Sequence, residues 1–329
     1  MHNRRRLLIA LGASALAAPL RGFAQQPTAR VYRIGYLGPT SAANVASGLK
    51  AFRTGLRDLG FVEGKNLVIE FRWAEGKYDR LPRLAAELVQ MKVEAILASG
   101  SLSVQAAQKA TGSVPIVMTG VGNPVGSRFV ASLAHPGGNI TGLTNVSIDI
   151  SSKYVELLHE AVPKLSRVAM LINPVHPNHP TVLKRVQAGA KAIGAAVFPI
   201  DVRTVDEIAV ALTAVLRERA GALIVPPDPG FGLKGREIAD FAVKHRLPTI
   251  FGSNSSVEAG GLMSYAPSTS DMYRRAAGLI GKILNGAKPG DLPVEFPTRF
   301  EFAVNMKTAK ALGIKIPNSI LVRADKVIE

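Results

Sequence analysis

The sequence predicts an α/β chain folded as two lobes, each a doubly wound parallel sheet. Short β-branched runs alternate with helical stretches of 3.6-residue periodicity along almost the whole chain, and this implies parallel strands joined by helical crossovers. The alternation pauses once, between about Gly142 and Ser151, and then resumes. Hydrophobic residues make up 47% and aromatic residues only 6%, with 31 Gly and 21 Pro, a mix that suits aliphatic strands with many short loops and argues against disorder. A chain of 329 residues has material for two cores of ordinary size.

In the first half, residues 31–37 (VYRIGYL) read as a strand stopped by Gly38-Pro39-Thr40. Val45, Leu49, Phe52, Leu56 and Leu59 then step by four and three, one face of a helix that Gly60 ends. Residues 66–73 form the second strand, and Asp79 is the expected cap of a helix burying Leu81, Leu84, Leu88 and Met91. A third strand at 95–99 ends in Ser99-Gly100-Ser101 and leads into a helix over 104–110. The stretch 114–145 then reads as a βαβ unit. Its strand at 115–118 breaks at Thr119-Gly120, a helix starts at Asn123-Pro124 and stops at Pro136-Gly137-Gly138, and a strand follows at 139–144.

In the second half, a helix starting at Ser151 or Ser152 buries Tyr154, Leu157 and Leu158. Strands are expected at 167–172, 195–200, 221–225, 248–251 and 261–266, with Ile208, Ala211, Leu212 and Val215 as the inner face of one intervening helix. A helix over 272–284 ends at Asn285-Gly286, and the tail holds one extended run (294–304) and a short helix (307–312). Too small to be a domain, this tail is expected to complete the sheets, so that the chain crosses between lobes more than once. The expected division is 30–145 with about 267–295 in lobe 1, and 146–266 with about 296–329 in lobe 2.

The first 24 residues are a separate object. Arg4-Arg5-Arg6 precede an apolar run from 7 to 20, and Gly22-Phe23-Ala24 offers a small-x-small cleavage site, the pattern of a signal peptide cut near Ala24. Asn3-Arg4-Arg5-Arg6-Leu7-Leu8 resembles the twin-arginine export motif. The run is shorter than the roughly 20 residues of a membrane span. With no Cys in the chain there is no disulfide, no thiolate metal site and no lipidated Cys, so the expected mature protein is free in the periplasm without a stable membrane anchor; it is also expected to be a monomer. Net charge is +16, of which the leader's four Arg residues supply four, leaving +12. The basic residues are scattered among acidic ones without an aromatic series, so nucleic acid is not an expected partner.

In open α/β sheets ligands meet the carboxyl ends of strands. The candidate ligand-binding residues are therefore Gly38, Pro39, Thr40, Ser99, Gly100, Ser101, Thr119, Gly120 and Asn123 in the first half. In the second half they are Asn173, Pro174, Asp228, Gly252 and Ser253. These small, hydroxyl or amide residues also serve as turn formers and helix caps; what favours a site is their recurrence at corresponding points of both halves. Catalytic signatures fail. There is no Gly-x-Ser-x-Gly elbow and no Walker A, and His159-Glu160 lacks the second His of a helical zinc motif. His176 and His179 flank Pro177-Asn178 in what reads as a solvated turn without a third metal ligand. Gly120-x-Gly122-x-x-x-Gly126 is one residue off the dinucleotide fingerprint, and the next strand ends in Asn145 rather than an acidic residue. Trp73 reads as a packing residue. No metal, cofactor or catalytic residue is expected.

Several runs carry a family resemblance. They are Arg33-Ile-Gly-Tyr-Leu37, Leu59-Gly-Phe-Val-Glu-Gly-Lys-Asn66, Arg72-Trp-Ala-Glu-Gly76, Tyr78-Asp-Arg-Leu-Pro82 and Gly122-Asn-Pro-Val-Gly126. Pro136-Gly-Gly-Asn139, Glu258-Ala-Gly-Gly-Leu-Met263 and Lys307-Thr-Ala-Lys-Ala-Leu-Gly313 belong with them. The chain resembles the exported ABC-transporter substrate-binding family typified by a tryptophan/tyrosine-binding component. The resemblance implies a type I periplasmic binding protein, with two Rossmann-like lobes joined by hinge crossings. It also implies an amino-acid-like small polar or aromatic ligand closed between the lobes, an ABC permease and its ATPase as partners, and no catalysis. Many relatives have Asp where Asn123 stands, and often Gly where Arg128 stands; Asn123 keeps hydrogen bonding without the charge. The competing classes are a periplasmic α/β enzyme, hydrolytic or cofactor-dependent, and a ligand-sensing domain on the same scaffold.

Overall fold

In the computed structural model, which describes residues 30–329, the strands form two sheets. The signal peptide expected at 1–24 lies outside the described residues. The first sheet is built from β1 (Tyr32–Gly38), β2 (Leu67–Trp73), β3 (Ala95–Ser99), β4 (Ile116–Val121) and β5 (Ile140–Thr144). Between them run α1 (Ala46–Asp58), α2 (Leu81–Gln90) and α3 (Ser101–Ala110). The order is β2-β1-β3-β4-β5, all parallel. β3 and β5 are buried on both faces because helices or loops cover both, as parallel strands require.

The second sheet repeats the plan. After α4 (Ser152–Ala161) come β6 (Arg167–Ile172), α5 (His179–Ala192), β7 (Ala196–Asp201), α6 (Ile208–Arg217) and β8 (Ala222–Val225). Two helices follow, α7 (Pro229–Leu233) and α8 (Gly235–Lys244), then β9 (Thr249–Phe251), α9 (Asn254–Glu258) and β10 (Met263–Pro267). The order β7-β6-β8-β9-β10 reproduces that of the first sheet. Helix α10 (Thr269–Leu284) returns to pack along α1, where Gly48 and Gly55 allow close approach: a Cβ on Gly55 would lie 2.8 Å from the Ala277 methyl. The chain then bridges Leu143 through Glu295 and re-enters the second sheet as β11 (Phe300–Asn305). Helices α11 (Met306–Leu312) and α12 (Asn318–Leu321) precede the edge strand β12 (Lys326–Ile328). Two buried clusters flank each sheet, so each lobe has its own core.

Several local expectations are corrected. No helix follows Asn123-Pro124; three turn bonds form instead, Ser127 N–H to Asn123 O, Arg128 N–H to Val125 O and Phe129 N–H to Pro124 O. Arg128 there takes φ +58°, a left-handed value that ends a helical turn and that Gly adopts at less cost. β4 does not break at Thr119 but runs through Gly120 to Val121. Asp79 lies inside the 3₁₀ turn Tyr78–Arg80 and caps nothing; α2 starts after Arg80 with Pro82 in its first turn. Pro297 interrupts the run at 294–304, and β11 pairs with β10 antiparallel, so the second sheet is not wholly parallel. The chain leaves the first sheet through Val146, whose φ of +45° is costly for a β-branched residue.

Gly142 in β5 has φ +139°, and a Cβ there would lie 2.1 Å from the Met118 carbonyl oxygen of β4. Backbone cannot yield as a side chain can. Gly142→Ala should cost about 3 kcal/mol in denaturant unfolding. Gly189→Ala, in α5 with only ordinary contacts at 3.5 Å, should instead be neutral or stabilise by up to about 1 kcal/mol.

Candidate functional site

In each sheet the strand order reverses once, between β1 and β3 and between β6 and β8. At such a switch point adjacent helices leave on opposite faces and open a crevice at the strands' carboxyl ends. The segments following those four strands are Gly38-Pro39-Thr40, Ser99-Gly100-Ser101, Asn173-Pro174 and the run to Asp228. The two crevices face each other. Asn178 Nδ2 donates to Ser101 Oγ at 3.4 Å, a Cβ on Gly100 would lie 3.8 Å from Pro229, and one on Gly122 would lie 2.9 Å from Asn178 Nδ2.

Asp228 is the centre of the second-lobe wall and, among the described residues, the one Asp, Glu, Lys or Arg that is buried. Its extended backbone places it as the cap of α7, with Pro229 at the first helical position. Oδ1 accepts the Gly230 and Phe231 N–H groups at 2.8 and 3.3 Å and the Tyr78 hydroxyl at 3.2 Å; Oδ2 accepts from Asn173 Nδ2 at 2.9 Å. All four donors are neutral. Tyr78, Asn173 and Asp228, with Val202, Arg203 and Phe231 nearby, line a small space of about 10 Å³, room for about one water.

His176 and His179 are not a solvated turn. They are 8% and 1% exposed, with ring centroids 4.2 Å apart, and the donor atoms of His176, His179 and Asp228 lie within 4.8 Å of one another. The fold thus supplies the third group that the sequence did not show. The hydrogen bonds give this cluster a different character from a metal site. His179 Nδ1 accepts the Asn173 N–H at 2.9 Å, which leaves its proton on Nε2, 3.3 Å from the Pro227 carbonyl oxygen. His176 Nδ1 likewise accepts the Asn178 N–H at 3.3 Å. Burial holds both imidazoles neutral against the pull of Asp228, and His176 falls to about 3 with His179 beside it.

On the first lobe, Gly100 (φ +78°) precedes α3 and brings no side chain to its first N–H groups, while Ser103 is fully buried with a hydroxyl that has no partner. Ser99 Oγ accepts from Tyr273 of α10, whose hydroxyl lies 2.9 Å from that of Tyr36. Gly38 is covered by Trp73 and Tyr36, whose rings a Cβ would meet at 2.6 Å, and Trp73 packs on Tyr36 and Phe71 as a wall residue. Pro39 and Thr40 hold the loop of Glu75 and Gly76 through their carbonyls. The remaining candidates face elsewhere. Thr119 O accepts the Gly100 N–H, and Gly120 O accepts Asn145 Nδ2. Asn123 Oδ1 accepts the Gly126 N–H, Pro174 is exposed, Gly252 lies against Pro227, and Ser253 pairs with Ser255. Sequence reasoning missed Tyr78 and Asn178, since neither follows a strand directly; Tyr78 did stand in the motif Tyr78-Asp-Arg-Leu-Pro82.

Comparison with known proteins agrees with this architecture. A tyrosine-binding protein of Clostridioides difficile (strain R20291) is 29% identical over 267 residues, covering 81% of this chain and 76% of the relative. The structure of an ABC domain from Streptococcus pneumonia in complex with L-Trp superposes with a TM-score of 0.84 at 27% identity, over 91% of this chain and 100% of the other. The ligand-free, open structure of a substrate binding protein from Clostridium difficile, at 25% identity over 91% and 99% of the two chains, gives 0.66. Residues 39–328 match the family of ABC transporter substrate binding proteins, and the chain belongs to that family.

Proposed function

We propose that this solute-binding component of an ABC uptake transporter captures an amino acid, aromatic ones foremost, as a zwitterion between its lobes. The observation that carries the reading is Asp228, a buried carboxylate whose four donors are all neutral. Neutral partners leave its charge uncompensated, and a ligand ammonium supplies the cation. The uncapped start of α3, with Ser101 beside it, suits the ligand carboxylate. The tyrosine-binding relative and the L-Trp complex support an aromatic side chain. The higher TM-score to that complex than to the open structure supports a closed arrangement of the two lobes.

In the same reading the lobes divide at 30–145 with about 267–295 and 146–266 with about 296–329, and the protein works as a monomer without catalysis. Residues 1–24 direct its export, cleavage falls near Ala24, and the mature protein moves free in the periplasm to its permease and ATPase. No helix among the described residues is long and apolar enough to cross a membrane.

Thermal unfolding of the purified protein against amino acids tests this. A ligand at about a thousand times its Kd should add about 4 kcal/mol of stability. L-Trp and L-Tyr should stabilise, and N-acetyl-L-Trp, which lacks the cation, should not. Asp228→Asn keeps a competent helix cap and should weaken binding about tenfold or more. Flat curves across all amino acids would refute the reading.

A pH dependence follows from the histidines. A His held near 3 in the folded protein and near 6.5 when unfolded binds its proton first in the unfolded chain. Stability is therefore full above pH 6.5 and declines as pH falls from there toward 3. Between pH 7 and 5 the decline should approach about 1.4 kcal/mol per pH unit in its lower half, and His176→Asn should flatten it.

A further inference from the structure

Tyr78 belongs to the first lobe, in the short turn Tyr78–Arg80 between β2 and α2, yet its hydroxyl donates to Asp228 of the second. The contact is fitted on both sides by glycine. A Cβ on Gly230 would stand 2.8 Å from the Tyr78 hydroxyl and 3.2 Å from Asp228 Oδ1. From the opposite side, a Cβ on Gly76 would stand 2.8 Å from Leu233 Cδ1. Neither approach tolerates a methyl group without movement. Burial, and then the charge of Asp228, raises the Tyr78 phenol far above its ordinary value, so it remains a donor at any working pH.

The partition of donors on Asp228 gives this contact a second consequence. Oδ1 carries three donors and Oδ2 one, so with Tyr78 in place the open lone pair faces from Oδ2. With the lobes apart, the two backbone N–H groups and Asn173 remain, because all belong to the second lobe; only the Tyr78 bond depends on closure.

We propose that Tyr78 is the positioning residue for ligand capture: its bond to Asp228 forms when the lobes meet, biases the ligand-free protein toward the closed form, and confines the ligand's amine to Asp228 Oδ2. The last clause rests on the amino-acid reading above; the first two do not. A ligand that binds the closed form loses apparent affinity in proportion to the closed fraction, so weakening this bond acts on affinity without touching the ligand.

The test compares wild type, Tyr78→Phe, Gly230→Ala and the double variant by two readouts. One is the radius of gyration of the ligand-free protein from small-angle scattering; the other is the calorimetric Kd for L-Trp and L-Tyr. Removing a hydrogen bond to a charged group should raise Kd about tenfold in Tyr78→Phe. It should expand the ligand-free protein, while the ligand-free melting temperature stays within about 2 °C, since one partly exposed hydroxyl is lost. Gly230→Ala pushes the hydroxyl away and should reproduce both effects, and the double variant should add little to either single one. Should Tyr78→Phe fail to fold, Gly230→Ala alone decides between the outcomes. Unchanged radius and unchanged Kd, or full additivity in the double variant, would overturn the proposal. If wild type binds no amino acid, the amino-acid reading fails by itself, and the scattering comparison still decides whether Tyr78 closes the lobes.

Discussion

A carboxylate withdrawn from water has to receive its hydrogen bonds from the protein, and much of this cleft is arranged around meeting that need for Asp228. The donors come from three places: the first turn of α7, the Asn173 amide after β6, and Tyr78 of the other lobe. Behind them His179 holds the Asn173 backbone, and the His176–His179 pair is kept neutral by burial and by the N–H groups that occupy both Nδ1 atoms. A protonated imidazole there would cancel the charge. As built, the network gives Oδ1 three donors and Oδ2 one, and in the proposed reading the ligand's ammonium meets the charge at Oδ2.

That network exists because the same winding order occurs twice. The order 2-1-3-4-5 forces helices to opposite faces at one point in each sheet, so each lobe has one crevice, at β1/β3 and at β6/β8. The return of α10 to α1, and of β11 to β10, ties the lobes by more than one strand of chain. More than one connection between the lobes is the covalent arrangement of a hinge. Val146, in a left-handed conformation between β5 and α4, marks one of these passages with backbone strain.

Much of the fold was legible in the sequence. The helix face Ile208, Ala211, Leu212 and Val215 and the strand at 167–172 read correctly, because one face or the whole element is buried and periodicity records burial. The failures share a cause. At Asn123-Pro124 the local pattern favoured a helix, but the left-handed Arg128 stops the chain after a short run of turns. Thr119 looked like a strand end, yet it pairs with Ser99, and the pairing of Val121 with Thr144 carries β4 past it. Local signals report propensity, and neighbours across the sheet override it.

The site was legible as a set of strand-end turns, and the geometry then sorted that set. Asn173, Asp228, Gly100 and Ser101 meet across the crevices, whereas Asn123 and Ser253 turn back on their own loops. By itself the sequence determined the α/β class, the two-lobe repeat and the strand ends where a ligand can sit, because burial and turn chemistry are written in residue order. Only the tertiary structure decided that Tyr78 reaches Asp228, 150 residues away, and that two histidines read as solvated lie buried beside it. Those facts depend on which crevice faces which, and no local pattern encodes the docking of one lobe on the other.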